Sequence, residues 1–84
     1  MAPGFWMYET TGALRPAVEA YLNGEQMTGE QIAAMRAYLR QWIADTAWTG
    51  MAVTNLREAI DRLDSRGAIN AWLELADQIG IDPL

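Results

Sequence analysis

The sequence contains no cysteine, no histidine and no lysine. These three residue types supply most general bases, activated nucleophiles and transition-metal ligands in proteins. The lack of cysteine also excludes a disulfide framework and a cysteine-based zinc site. We therefore expect a protein that is not an enzyme and that binds neither a metal ion nor a cofactor.

Long apolar runs are missing as well. No stretch reaches the roughly 18 apolar residues of a membrane-spanning helix. The first residues, MAPGFWMYETTG, have neither the basic region nor the apolar region of a secretory signal. The sequence therefore predicts a soluble, cytoplasmic protein with no membrane partner.

Basic charge is scarce. Six arginines stand against eleven acidic residues, which gives a net charge of -5. The last part of the chain, residues 67–84, has three acidic residues and no arginine. A surface that binds nucleic acid has to attract phosphates, so this charge argues against direct nucleic-acid binding, including by a helix-turn-helix.

What is present is helical periodicity. Thr28 followed three residues later by Gln31 forms a capping box, which marks a helix start. Apolar residues recur at spacings of three and four along the chain, as on one face of an α-helix. The prediction is an all-α fold, a small bundle of about four short amphipathic helices in one domain, residues 1–84. Its parts are an extended aromatic N-terminal arm, 1–13, and helices over 14–22, 28–46, 53–64 and 68–79.

The ends of the predicted helices follow from residue type. Asn23-Gly24 and Gly80 are typical C-terminal stops of the first and fourth helices. The apolar face of the first helix includes Leu22, and either Thr54 or Asn55 is expected to cap the third helix.

Few residues remain for chemistry. Ser65 has no histidine or lysine to activate it, so we interpret it as a turn or cap residue. Glu58, Asp61 and Asp64 follow each other at helical spacing and could in principle share a cation. Arginines among them indicate instead a solvated, charged helix face.

Aromatic residues are the first candidates for partner binding. Phe5, Trp6 and Tyr8 lie in the arm, and Trp48 lies between the second and third helices. Large aromatic side chains are enriched in protein interfaces. They also pack well against a small core, so the arm is expected to be either a contact surface or a cover for its own domain.

Arg36 and Arg40 are the second candidate. They lie one turn apart beside the apolar face of the second helix, where two guanidinium groups can bind a carboxylate or a phosphate. Arginines in such positions more often pair with acidic residues of a neighbouring helix. We favour that structural pairing.

The leading functional hypothesis is a small acidic protein-protein interaction module that acts as an inhibitor or adaptor on a larger partner, or by self-association. Inhibitors encoded by phages and mobile elements, including those that block host defence systems, commonly share this profile, so an anti-defence role belongs to this hypothesis. One alternative is a homo-oligomeric protein that binds or sequesters a nucleotide-type small ligand. Another is a minor structural subunit of a larger complex.

Overall fold

The computed structural model describes residues 13–47 and 49–84. These residues form helices and no strands, which confirms the all-α prediction. The described residues contain four α-helices and one short 3-10 turn. In chain order they are α1 (Leu14–Leu22), α2 (Gly29–Asp45), α3 (Met51–Ala59), the 3-10 turn (Ile60–Arg62) and α4 (Arg66–Gln78).

The start of α2 is fixed by the predicted capping box. The Gln31 backbone N–H donates to Thr28 Oγ1 over 3.1 Å. In return, the Thr28 N–H donates to Gln31 Oε1 over 2.9 Å. Two backbone donors that the helix itself leaves without partners are thus satisfied, and the capping-box prediction is confirmed.

Helices α1 and α4 end in the same way. Gly24 and Gly80 follow them with φ of 72° and 85°, the left-handed region that side chains disfavour. After α4, the Ile81 N–H donates to the Ala76 carbonyl and the Gly80 N–H to the Asp77 carbonyl. This pair of bonds is a Schellman motif. It reverses the chain so that residues 81–84 return toward the helices.

Helix α3 differs from the prediction at both ends. It begins at Met51, two residues before the predicted start, and Gly50 occupies the N-cap without a side-chain bond. Thr54 lies inside the helix, where its hydroxyl donates to the Gly50 carbonyl over 3.1 Å. The prediction that Thr54 or Asn55 caps this helix was therefore wrong. The last turn is a 3-10 turn, which ends at Arg62.

Helix α4 also begins two residues before its predicted start, at Arg66. Ser65 is its N-cap, and the Ser65 hydroxyl oxygen accepts a hydrogen bond from the Ala68 N–H over 3.1 Å. The interpretation of Ser65 as a cap residue is confirmed. An N-cap serine satisfies one of the free N–H groups of the first turn, which is why the helix can begin immediately after it.

Helix α2 is central, because it packs against α1, α3, the 3-10 turn and α4. Its apolar face supplies much of one shared core. The largest fully buried side chains are Tyr38, Met35, Leu39, Ile43, Ile60, Ile69, Ile81 and Pro83.

A buried hydrogen bond joins α3 to α4. Trp72 on α4 is 2% exposed, and its indole Nε1–H donates to the Leu56 carbonyl over 2.8 Å. Leu56 lies in the last turn of α3, just before the 3-10 turn. The indole therefore satisfies a polar group at the same point where its ring fills the core.

The predicted apolar face of α1 is wrong at Leu22. It was expected on the buried side of α1, yet it is 65% exposed. The buried side of α1 ends at Ala20, and Leu22 is the last residue of the helix. A large apolar side chain is consequently left at the surface.

Candidate functional site

The two arginines predicted as binding candidates have partners within the chain. Arg36 Nη1 donates to the Leu63 carbonyl over 2.9 Å. Arg40 Nη2 forms an ion pair with Asp61, and both side chains are largely exposed. Both guanidinium groups thus hold the segment around the 3-10 turn against α2. A phosphate at this position would have to compete with those contacts.

The aromatic candidates Phe5, Trp6, Tyr8 and Trp48 lie outside the described residues. Their roles as contact surface or core cover stay predictions.

A groove that the sequence analysis missed lies where the C-terminal end of α1, helix α4 and residues 81–84 meet. It encloses about 610 Å³ and is open to solvent. Its apolar lining includes the exposed Leu22 and the partly buried Leu73 and Leu84. We call it the acidic groove, because its remaining lining includes several carboxylates.

The carboxylates of the acidic groove are Glu74 and Asp77 on α4, and Asp82 in the C-terminal segment. All three residues are exposed. No arginine lines the groove, and none of the three carboxylates forms an ion pair with an arginine of the described part of the chain. Their charge is therefore left uncompensated beside an apolar surface.

One wall of the acidic groove is the C-terminal segment, residues 81–84. The Schellman turn at Gly80 directs Ile81 into the core, where it is 1% exposed, and Pro83 is also buried. The buried Tyr38 hydroxyl of α2 donates a hydrogen bond to the Pro83 carbonyl. Because the burial of Ile81 and Pro83 and this hydrogen bond fix the segment, the wall exists without a bound partner.

Tyr21 forms one corner of the groove, and several contacts fix it. The Arg66 guanidinium carbon lies 4.7 Å from the centre of the Tyr21 ring, as in a cation-π contact. The Tyr21 hydroxyl donates to Asn70 Oδ1 over 2.8 Å. Arg66 Nη2 also donates to the Tyr21 carbonyl over 2.7 Å. The same carbonyl also accepts from the Gly24 N–H, so Arg66 adds a second donor at the C-terminal end of α1, where a positive charge is favourable.

The surroundings of the Tyr21 phenol favour its neutral form. Burial raises the pKa of the Tyr21 phenol above its ordinary value; the Arg66 guanidinium opposes this rise, and the Glu74 carboxylate adds to it. The neutral phenol is the form that can donate to Asn70. Glu74 in turn accepts a hydrogen bond from the Asn70 amide over 3.2 Å.

Sequence reasoning missed this site because its parts are far apart in the chain. Arg66 and Tyr21 are 45 residues apart, and so are Tyr38 and Pro83. The one sequence signal was the acidic stretch 67–84, which marked the correct region without indicating a groove.

Two further findings concern what the described residues do not form. Across residues 13–47 and 49–84, no group of three or more acidic side chains is arranged to hold a metal ion. None of the helices there combines the length and the apolar character that crossing a membrane requires.

Comparison with known proteins shows a distant similarity. No family model matches the chain, and no solved structure matches it. The chain is similar to a UPF0225 protein from Actinobacillus succinogenes, with 26% identity over 58 residues. The matched region covers 69% of this chain and 38% of that protein. The chain thus spans little more than a third of the relative's length, and the relative's name states no activity.

Proposed function

We propose that this chain is a protein-protein interaction module that acts on a larger partner, as an inhibitor or adaptor, through the acidic groove. The observation that carries the proposal is the combination of an apolar groove surface with carboxylates that form no ion pair with an arginine among the described residues. Apolar side chains that remain exposed beside polar groups are typical of surfaces that bind another protein. The absence of histidine, cysteine and lysine is consistent with a role in binding and not in catalysis.

Leu22 supports this proposal by its position. A leucine that is 65% exposed gains free energy when a partner covers it, at about 25 cal/mol for each Å² of apolar surface removed from water. Leu22 lines a groove that is open to solvent, so a partner that enters the groove would cover it. That arrangement favours a specific contact.

The proposal is tested by a pair of matched variants. Leu22→Glu places a charge in the groove, whereas Met51→Glu places the same charge on another exposed apolar residue, 76% exposed, outside the groove. The tagged wild-type protein and both variants are expressed in the native host, and the captured proteins are identified by mass spectrometry. A candidate partner is then purified, and its Kd is measured for all three proteins.

The expected result is a partner that binds the wild type and Met51→Glu, and binds Leu22→Glu at least about tenfold more weakly, a change of roughly 1.4 kcal/mol. Equal affinity of all three proteins for every captured partner would contradict a role for the groove. A thermal midpoint that rises on addition of nucleotides would support the small-ligand alternative instead.

A further inference from the structure

We infer that the acidic groove binds a cationic amphipathic segment of its partner, one that carries arginine or lysine beside aliphatic side chains. This inference rests on the proposed function and specifies the chemistry of the partner. It follows from the charge, the apolar surface and the rigidity of the groove.

The charge argues for a cationic segment. Glu74 and Asp77 are three residues apart on α4, so both project from the same side of the helix, and Asp82 adds a third carboxylate from the C-terminal segment. The chain has no basic residue from position 67 to position 84 that could neutralise them. Complementary charge accelerates association and determines which partners are accepted. An arginine or lysine supplied by the partner is the missing counter-charge.

The apolar surface argues for aliphatic side chains beside that cation. Leu73 and Leu84 are only partly buried, and Leu22 is exposed. A purely cationic ligand would leave these side chains in water. The groove volume of about 610 Å³ lies within the roughly 300–1,000 Å³ that ligand-binding clefts usually enclose. A segment with both kinds of side chain matches both kinds of surface.

The groove is also preorganised. Its Tyr21 corner is held by Arg66 and Asn70, and its C-terminal wall is held by the hydrogen bond from Tyr38 to Pro83. A binding surface that is already ordered loses less conformational entropy when the partner binds.

A second copy of this chain fits the groove less well. Each copy has a net charge of -5, so self-association through this face would bring carboxylates toward another acidic molecule. Nucleic acid is disfavoured for the same reason. A partner segment of opposite charge therefore remains the best match.

The test uses labelled peptides of about 15 residues, which span roughly 22 Å as a helix. The probe peptide alternates leucine and arginine along one helical face. Two matched peptides replace either every arginine by glutamate or every leucine by serine. Fluorescence anisotropy measures the binding of each peptide to the full chain at salt concentrations from about 0.01 to 1 M, over which the screening length falls from ~30 to ~3 Å.

We expect only the peptide with both leucine and arginine to bind well, and to bind more weakly as salt rises. Two outcomes would overturn the inference. One is equal binding of the glutamate peptide, which would exclude charge recognition. The other is equal binding of the serine peptide, which would show that charge alone is responsible and that the apolar surface is not used.

Two double variants with the same net charge locate the site. Glu74→Gln with Asp77→Asn removes two carboxylates of the groove, and Glu58→Gln with Asp64→Asn removes two exposed carboxylates elsewhere. The first should weaken binding of the leucine-arginine peptide by about 2- to 30-fold, as expected for the loss of two exposed ion pairs. The second should change it by less than about twofold. Equal weakening by both would overturn the inference, because the peptide would then recognise only the overall charge.

Light scattering tests whether a second copy of this chain occupies the groove. A dimer that Leu22→Glu dissociates and Met51→Glu does not would show that a second copy fills the groove, which overturns the inference. A natural partner that requires Leu22 but is insensitive to salt and to the loss of Glu74 and Asp77 would also overturn it, yet leave the proposed function intact. If neither the peptides nor any natural partner requires the groove for binding, both the inference and the proposed function are overturned.

Discussion

Replacing Trp72 by alanine probes the junction between α3 and α4. The side chain is 2% exposed, so the change removes a buried indole and leaves a cavity. It also removes the hydrogen-bond donor to the Leu56 carbonyl. Substitutions of this kind cost about 3–5 kcal/mol. At roughly 0.05–0.15 kcal/mol per residue, an 84-residue protein has about 4–13 kcal/mol of total stability. Trp72→Ala should therefore remove a large fraction of it.

Two companion variants separate the contributions. Leu75→Ala lies on the same helix, but Leu75 is 55% exposed, so its replacement should cost less than about 1 kcal/mol. Trp72→Phe keeps an aromatic ring and removes the indole donor. It should lose about 1–3 kcal/mol, since the buried Leu56 carbonyl is left without that donor.

The assay is urea unfolding followed by far-UV circular dichroism, because changing one of four tryptophans would alter the fluorescence signal itself. The midpoint should fall while the m-value stays constant. A cost below about 1 kcal/mol for Trp72→Ala, or a cost for Leu75→Ala as large as that for Trp72→Ala, would refute the packing of α4 described above.

Three further predictions concern local contacts. Thr28→Ala should lower the free energy of unfolding by about 0.5–2 kcal/mol in urea, through loss of the N-cap bond of α2, and no change would contradict the cap's contribution. Tyr38→Phe should cost about 1–3 kcal/mol, because the Pro83 carbonyl loses the phenol donor. Hydrogen exchange should accelerate at the backbone amides of Ile81, Asp82 and Leu84, and unchanged exchange there would contradict the anchoring role. The pKa of Tyr21 is raised from 10.0 in the folded state. The Tyr21 phenol should therefore contribute fully to stability below about pH 10, and this contribution should be lost as the pH rises through the higher pKa of the folded state. In urea unfolding, the free energy of unfolding of the wild type should exceed that of Tyr21→Phe by more at about pH 8 than at about pH 11. An equal difference at the two pH values would contradict the expected role of the phenol.

The pH dependence of unfolding is simple to interpret in this chain. With no lysine and no cysteine, the tyrosines are the side chains that titrate in the alkaline range, since arginine stays charged. The difference between wild type and Tyr21→Phe then isolates one phenol of three.

Local features of the fold could be predicted from the sequence. The capping box at Thr28 and the left-handed stop at Gly80 depend on residues within a few positions of each other, so the chain encodes them locally. The start of α3 could not be predicted in this way. A glycine N-cap gives no side-chain signal, whereas Thr54 and Asn55 resemble caps but lie within the helix.

The acidic groove depends on contacts between distant residues. Its corner requires Arg66 to reach the end of α1, and its wall requires Tyr38 to bind the backbone at Pro83. Periodicity indicates which face of a helix is buried, but not which side chain crosses to another helix. Residues 81–84 were predicted only as a stretch that follows the last helix, and their burial depends on the turn at Gly80.

Of the binding candidates predicted from the sequence, the structure describes the two arginines but not the aromatic residues. Arg40 pairs with the acidic residue Asp61, as in the structural pairing that we favoured, whereas Arg36 donates to the Leu63 backbone carbonyl and not to an acidic residue. A binding role for the two arginines stays a prediction. The aromatic candidates of the arm and Trp48 stay predictions as well, and the groove is a separate surface to test.

One measurement tests the central claim, that this chain binds its partner through the acidic groove. The leucine-arginine peptide, or the natural partner once purified, is added to isotopically labelled protein, and changes in the backbone NMR resonances are mapped onto the sequence. The account predicts that the largest changes fall at Leu22, at residues 73–78 and at residues 81–84. Changes centred on Arg36 and Arg40, or on the aromatic arm, with the groove resonances unmoved, would contradict it.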